Sequence, residues 1–161
     1  MITTYTTYDE VRATLGVSDE EIEDTTLALP IWSTNLDFSL DEFSTALVST
    51  YEAIAAKAEN TRTAVEKKIY AGTRLFATYT VADDLLKSLP MFSFKRLTDG
   101  KAEAERFDAW KDTKSGVQAG LSAIKLRLQL ALSGTSGYTA PLRNTFRFTS
   151  ATGLATDPVT E

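Results

Sequence analysis

The sequence predicts a mainly α-helical protein, a bundle built on two long helices with an extended, partly β C-terminal arm. Two periodic apolar runs carry that expectation, residues 62–89 and 106–132. In both, apolar side chains recur every three or four positions, the spacing of one helical face. The third observation is an alternating stretch after a Ser/Gly-rich break, which is a strand pattern in an otherwise helical chain. The expected organisation is a helical domain over 1–132, a flexible linker over 133–140 and an extended arm over 141–161.

Taken in order, Thr7-x-x-Glu10 is a capping box, and Val11 and Leu15 follow at helical spacing. Gly16 supplies a residue that takes positive φ at the helix end. Ser18-x-x-Glu21 repeats the pattern, so 8–15 and 19–25 read as two short helices joined by a tight turn. Pro30 tolerates a helix that starts on it, with Ile31, Trp32 and Leu36 as its lining. Phe38, Leu40 and Glu42 then alternate with Asp37, Ser39 and Asp41, a short extended signature. Phe43, Leu47, Tyr51, Ile54 and Ala58 fall on one helical face.

The longest run, from Thr61 to Leu89, places Val65, Ile69, Gly72, Phe76, Tyr79 and Leu86 on one stripe. Gly72 and Ala82 allow a close helix approach, Asp83 and Lys87 can pair at i, i+4, and Pro90 ends the run. Asp99-Gly100 is a turn dipeptide, and a last helix starts near Arg106. Its stripe is Trp110, Val117, Leu121, Ile124, Leu128 and Ala131. Leu126, Leu130 and Leu132 widen it, so cover on more than one side is expected. After the break at 133–140, Leu142, Asn144, Phe146 and Phe148 alternate with Arg143, Thr145, Arg147 and Thr149. Burying Leu142, Phe146 and Phe148 is worth about 1.5–3 kcal/mol each. Ordering about eight residues costs about 1–2 kcal/mol apiece. The arm therefore needs backbone pairing with a partner or repetition around a ring. An arm that orders on binding is favoured over a tail packed on its own domain, and Leu142, Arg143, Phe146, Arg147 and Phe148 are its candidate contact residues.

Composition narrows the chemistry. The 161 residues include no His and no Cys, which removes Ser-His-Asp triads, thiol nucleophiles, imidazole ligands and zinc-thiolate sites. GxGxxG and GxxxxGK[ST] are absent. Asp83-Asp84 and Asp19-Glu20-Glu21 read as solvated or capping acids, since adjacent helical residues point about 100° apart. No catalytic, metal or cofactor site is expected, and neither a membrane span nor a signal peptide is visible.

The net charge of -5 is unevenly spread. Residues 1–42 hold ten acids and the single base Arg12, while residues 43–161 hold twelve acids and sixteen bases. Such polarity suits head-to-tail or ring assembly, where unlike surfaces meet. The acidic second element of the N-terminal pair opposes a helix-turn-helix DNA reader.

Several runs together carry a resemblance. They are Tyr8-Asp9-Glu10-Val11-Arg12-x-x-Leu15-Gly16-Val17-Ser18, Leu27-x-Leu29-Pro30, Leu75-Phe76-Ala77-Thr78-Tyr79-x-Val81-Ala82, Leu85-Leu86-x-Ser88-Leu89-Pro90-x-Phe92, Thr98-Asp99-Gly100-Lys101-Ala102-Glu103 and Arg106-Phe107. In order and spacing, over roughly residues 5–132, they resemble the head–tail connector (adaptor, or head-completion) proteins of tailed bacteriophages. The C-terminal arm lies outside the resemblance.

The resemblance implies a virion structural protein, made in the cytoplasm of a bacterial host and placed at the head–tail interface. Its protomers would form a ring, commonly twelvefold, below the portal. The ring extends the DNA channel without sequence-specific binding and offers a platform to tail or neck proteins. No catalysis is implied. Lys95, Arg96, Asp99, Gly100, Lys101, Arg106 and Phe107, in a loop over 90–108, are then the candidates for ring or portal contact. The arm is the candidate for portal docking. A DNA-packaging accessory protein, a small terminase-like subunit reading DNA through the first helix pair, is the alternative. A helical enzyme working through carboxylates is the third.

Overall fold

The computed structural model describes residues 2–88 and 100–133, with side chains of the second segment described from Trp110 onward. Its helices are α1 (Tyr8–Leu15), α2 (Asp24–Leu27), α3 (Pro30–Phe43), α4 (Leu47–Ala55), α5 (Ala64–Ser88) and α6 (Gly100–Ser133), with 3₁₀ turns at Ile2–Thr4 and Glu59–Thr61. The described residues contain no strand, so the mainly α class holds among them. The linker, the alternating arm with Leu142, Arg143, Phe146, Arg147 and Phe148, and the candidates Lys95, Arg96 and Asp99 lie outside the described residues.

Helix α5 is the centre. Helices α1, α3, α4 and α6 all pack on it. Eleven of its 25 residues are buried, among them Ile69, Phe76, Ala77, Val81, Leu85 and Leu86. Val65, expected on its core stripe, is exposed. The helix opens on a second capping box, formed by Thr63 and Glu66. The Thr63 N–H donates to the Glu66 carboxylate (2.8 Å), and the Glu66 N–H donates to the Thr63 hydroxyl (3.2 Å).

Helix α6 returns antiparallel to α5. The pairs Gly72 with Leu128, Tyr79 with Gly120, and Asp83 with Gln118 set the register. A Cβ on Gly72 would stand 3.1 Å from Leu128 Cδ1, so the glycine sets how closely the helices approach. Gly120 does the same more strictly, because the Tyr79 ring occupies the space a Cβ would need. Continued along the chain, this register brings Ser88 opposite Asp112. The stretch from Gly100 to Lys111 therefore runs on past the end of α5.

Helix α1 forms as the capping box requires. Glu10 N–H donates to the Thr7 hydroxyl (3.2 Å), and Thr7 N–H donates to the Glu10 carboxylate (3.1 Å). Gly16 closes the helix at φ 69°.

Four expectations need correcting. The 19–25 helix is a turn followed by the four-residue α2. Glu21 does accept from the Ser18 N–H (2.9 Å), but the Ile22 carbonyl accepts from Arg12 Nε (2.8 Å) and is lost to a helix there. The extended signature at 38–42 is helical. Trp32, Leu36, Leu40 and Phe43 are the buried stripe of α3, and Pro30 opens that helix. Phe43 ends α3 instead of starting the next helix, because Ser44 turns extended and bonds back to the Leu40 carbonyl. The last helix begins at Gly100, six residues before Arg106, so the supposed loop is helical over 100–108. Lys101 to Glu105 are strong helix formers and outweigh the turn dipeptide.

Candidate functional site

The surface presents two apolar patches on different flanks. Leu75 of α5 and Leu126 and Leu130 of α6 are 48%, 57% and 66% exposed. The sequence expectation that α6 is covered on several sides is thus not met among the described residues. Leu75 and Leu130 border a groove of about 490 Å³ between the two helices, whose wall includes Lys68, Gly72, Arg127 and Ala131. Lys68 and Arg127 are the charged groups of that wall, and both are exposed bases.

The second patch is the outer side of α3. Ile31 is 55% and Phe38 72% exposed. They sit seven residues apart, two helical turns, on the side opposite the buried stripe. Asp37, Asp41 and Glu42 flank them, also exposed, and α3 carries no base. The sequence reading took Ile31 as lining and Phe38 as extended. The missed signal was the four-residue spacing of Trp32, Leu36 and Leu40, which leaves Ile31 and Phe38 facing outward once Pro30 starts a helix.

Between the flanks, α3, α5 and α6 enclose a more polar cleft of about 310 Å³. Asp83 and Asp84 stand on it and both pair with Lys87, at 3.0 and 2.9 Å. Those two hydrogen bonds, to Asp84 first and Asp83 next, raise the Lys87 pKa. Gln118 Nε2 donates to Asp83 (3.3 Å). Lys87 thereby balances one of the two negative charges. The Asp83–Lys87 contact is the i, i+4 pair the sequence suggests, and the Asp84–Lys87 contact is an added i, i+3 one. Asp83 is buried where the sequence suggests a solvated acid.

Near α1, a shallow acidic cavity of about 600 Å³ is lined by Asp9, Asp19, Glu23 and Asp24 around Arg12. Arg12 is buried, donates to the Ile22 carbonyl, and pairs with Asp9 (3.2 Å) and with Asp24. The single base of the acidic head is therefore a structural clasp across the 16–24 loop. Among the described residues, no three acids are grouped to hold a metal, and no helix is long and apolar enough to cross a membrane.

Of the expected contact residues, Gly100, Lys101, Arg106 and Phe107 fall on the part of α6 that extends past α5. The arm candidates lie outside the described residues. No protein-family model, curated protein or solved structure matches the chain.

Proposed function

We propose that the chain is a virion structural protein, a head–tail adaptor that assembles as a ring below the portal of a tailed bacteriophage. One observation carries this reading. Separate runs that share the family resemblance pack together as one unit. Glu10, from the first run, pairs with Arg74 beside the third at 2.7 Å. Next to that pair, Thr6 and Thr78 share a buried hydrogen bond of 2.6 Å. Runs more than sixty residues apart in sequence are thus adjacent in space, as parts of a common architecture would be.

The segregated charge, the long helices and the exposed apolar flanks add support, since an adaptor works by shape and surface. Its ring would leave a passage for DNA, and an acidic lining would let the duplex slide instead of gripping it. Portal protein and tail or neck proteins are the partners. The DNA-reader alternative loses its recognition helix, because α2 has four residues and follows a turn rich in acids.

Electron microscopy of particles made with and without this protein tests the reading. A ring below the portal is the expected result, and a normal neck without the protein would sink it. Deleting residues 138–161 should weaken portal binding at unchanged helix content. Full portal binding by that variant would remove the docking role of the arm.

A further inference from the structure

Both exposed apolar patches belong to the same chain, yet neither can satisfy the other within one copy. Helix α3 is fixed by Trp32, Leu36, Leu40 and Phe43 in the core, and its Ser39, Glu42 and Phe43 border the polar cleft on one flank of the α5–α6 pair. The apolar groove opens on another flank and has no α3 residue in its wall.

The two surfaces match in three respects. The groove is apolar with a cationic wall, Lys68 and Arg127. The ridge is apolar with anionic flanks, Asp37, Asp41 and Glu42. No ion pair engages any of these five among the described residues. Their lengths also agree. Ile31 to Phe38 on the ridge and Lys68 to Leu75 along the groove each span seven residues, about 10.5 Å of helix.

We infer that the α5–α6 groove seats the Ile31–Phe38 ridge of α3 from a second copy of this chain, with Lys68 and Arg127 meeting Asp37 and Asp41. A helix laid into an apolar groove is a common recognition mode. The contact is head-to-tail: each copy offers a ridge to one neighbour and a groove to the other. Such heterologous contacts give rings when the rotation closes. The chain's own arm is a poorer occupant, because its Arg143 and Arg147 would approach Lys68 and Arg127, like against like. The inference deepens the ring reading by naming its interface.

The absence of cysteine makes a clean test possible. Full-length chains carrying Thr34→Cys on the ridge, Ala71→Cys in the groove wall or both, with Phe38 and Leu130 kept, are treated with a short bis-maleimide and separated on a denaturing gel. Both sites are exposed, so folding is retained, which helical circular dichroism checks. The expected result is a ladder from the double variant, a dimer from the mixed single variants, and monomer from each single variant alone. Adding Lys68→Glu and Arg127→Glu should lower the yield at least tenfold. Further adding Asp37→Lys and Asp41→Lys should restore it.

Dimers from either single variant would mean a two-fold contact and overturn the inference. So would monomer throughout, or cross-linking that appears only after residues 134–161 are deleted, which would assign the groove to the arm. The assay needs no portal. A ladder from a protein missing from the virion neck would leave the interface and sink the adaptor reading. A neck ring from a chain that never cross-links would do the reverse.

Discussion

Helices α5 and α6 have similar apolar content in sequence and opposite situations in the fold. Helix α5 is surrounded, with α1, α3, α4 and α6 against it. Helix α6 is an outer layer. It buries Val117, Ile124, Leu128 and Leu132 on α5 and leaves Leu126 and Leu130 in solvent. The buried apolar residues of α5, Ile69, Phe76, Val81, Leu85 and Leu86, are accounted for by the core they fill. Leu126 and Leu130 on the outside of α6, and Leu75 beside them on α5, have no such account among the described residues.

The sharpest break in that comparison is Phe76→Ala. Phe76 is 1% exposed and packs 5.2 Å, ring to ring, from Phe43. A loss of about 3–5 kcal/mol is expected in urea unfolding, enough to unfold a marginal domain. Next is Gly120→Ala. Helix propensity favours it by about 1 kcal/mol, but the Tyr79 ring must move. Overpacking should win, for a net loss of about 1–2 kcal/mol, and Tyr79→Ala in the same chain should relieve it.

A smaller effect of opposite sign is expected on α5 itself. The Thr80 hydroxyl is buried with no hydrogen-bond partner among the described residues. Thr80→Val should stabilise by about 1 kcal/mol, and a lower denaturation midpoint would show that water reaches the hydroxyl from the adjoining cleft. Least of all, Leu130→Ser should change stability by under about 0.5 kcal/mol, as an exposed site does. If it unfolds the chain as Phe76→Ala does, the contrast between the two helices is void.

Acid acts on the same contrast from the α5 side. The Lys57 ammonium, followed by the Thr63 backbone N–H, holds the Glu66 carboxyl down to about 2 from 4.5. Its folded value is depressed, so its contribution is complete above about pH 4.5 and disappears as pH falls through about 2. For Glu10, burial pushes upward, but the Thr7 N–H, Thr6 and Arg74 outweigh it and the net shift is downward. Stability should therefore fall on acidification below pH 4.5, and Glu66→Gln should make the low-pH part of that curve shallower.

Much of the helical frame was legible because its signals are local. The Thr7–Glu10 box and Gly16 gave the bounds of α1. The run from Ile69 to Leu86 gave α5, and Gly72 gave the close approach of α6. Other signals were legible but outvoted. Phe38, Leu40 and Glu42 alternate over a few residues, while the stripe from Trp32 to Phe43 runs the whole helix, and the longer pattern buries more. The turn at 19–23 depends on Arg12 reaching the Ile22 carbonyl, ten residues away, which no local pattern encodes. The groove was half visible: Leu126 and Leu130 stand out as apolar surplus on α6, but the stripe from Val65 to Leu86 passes over Lys68 and Leu75, which form its other wall.

The overhang of α6 also fixes a dimension. At 1.5 Å per residue its 34 residues reach about 51 Å, against about 38 Å for the 25 of α5. The protomer's longest element thus outruns the core that anchors it. A helix does not shorten under load without breaking its own hydrogen bonds. The far end, where Lys101, Arg106 and Phe107 lie, is therefore held at a set distance from the groove.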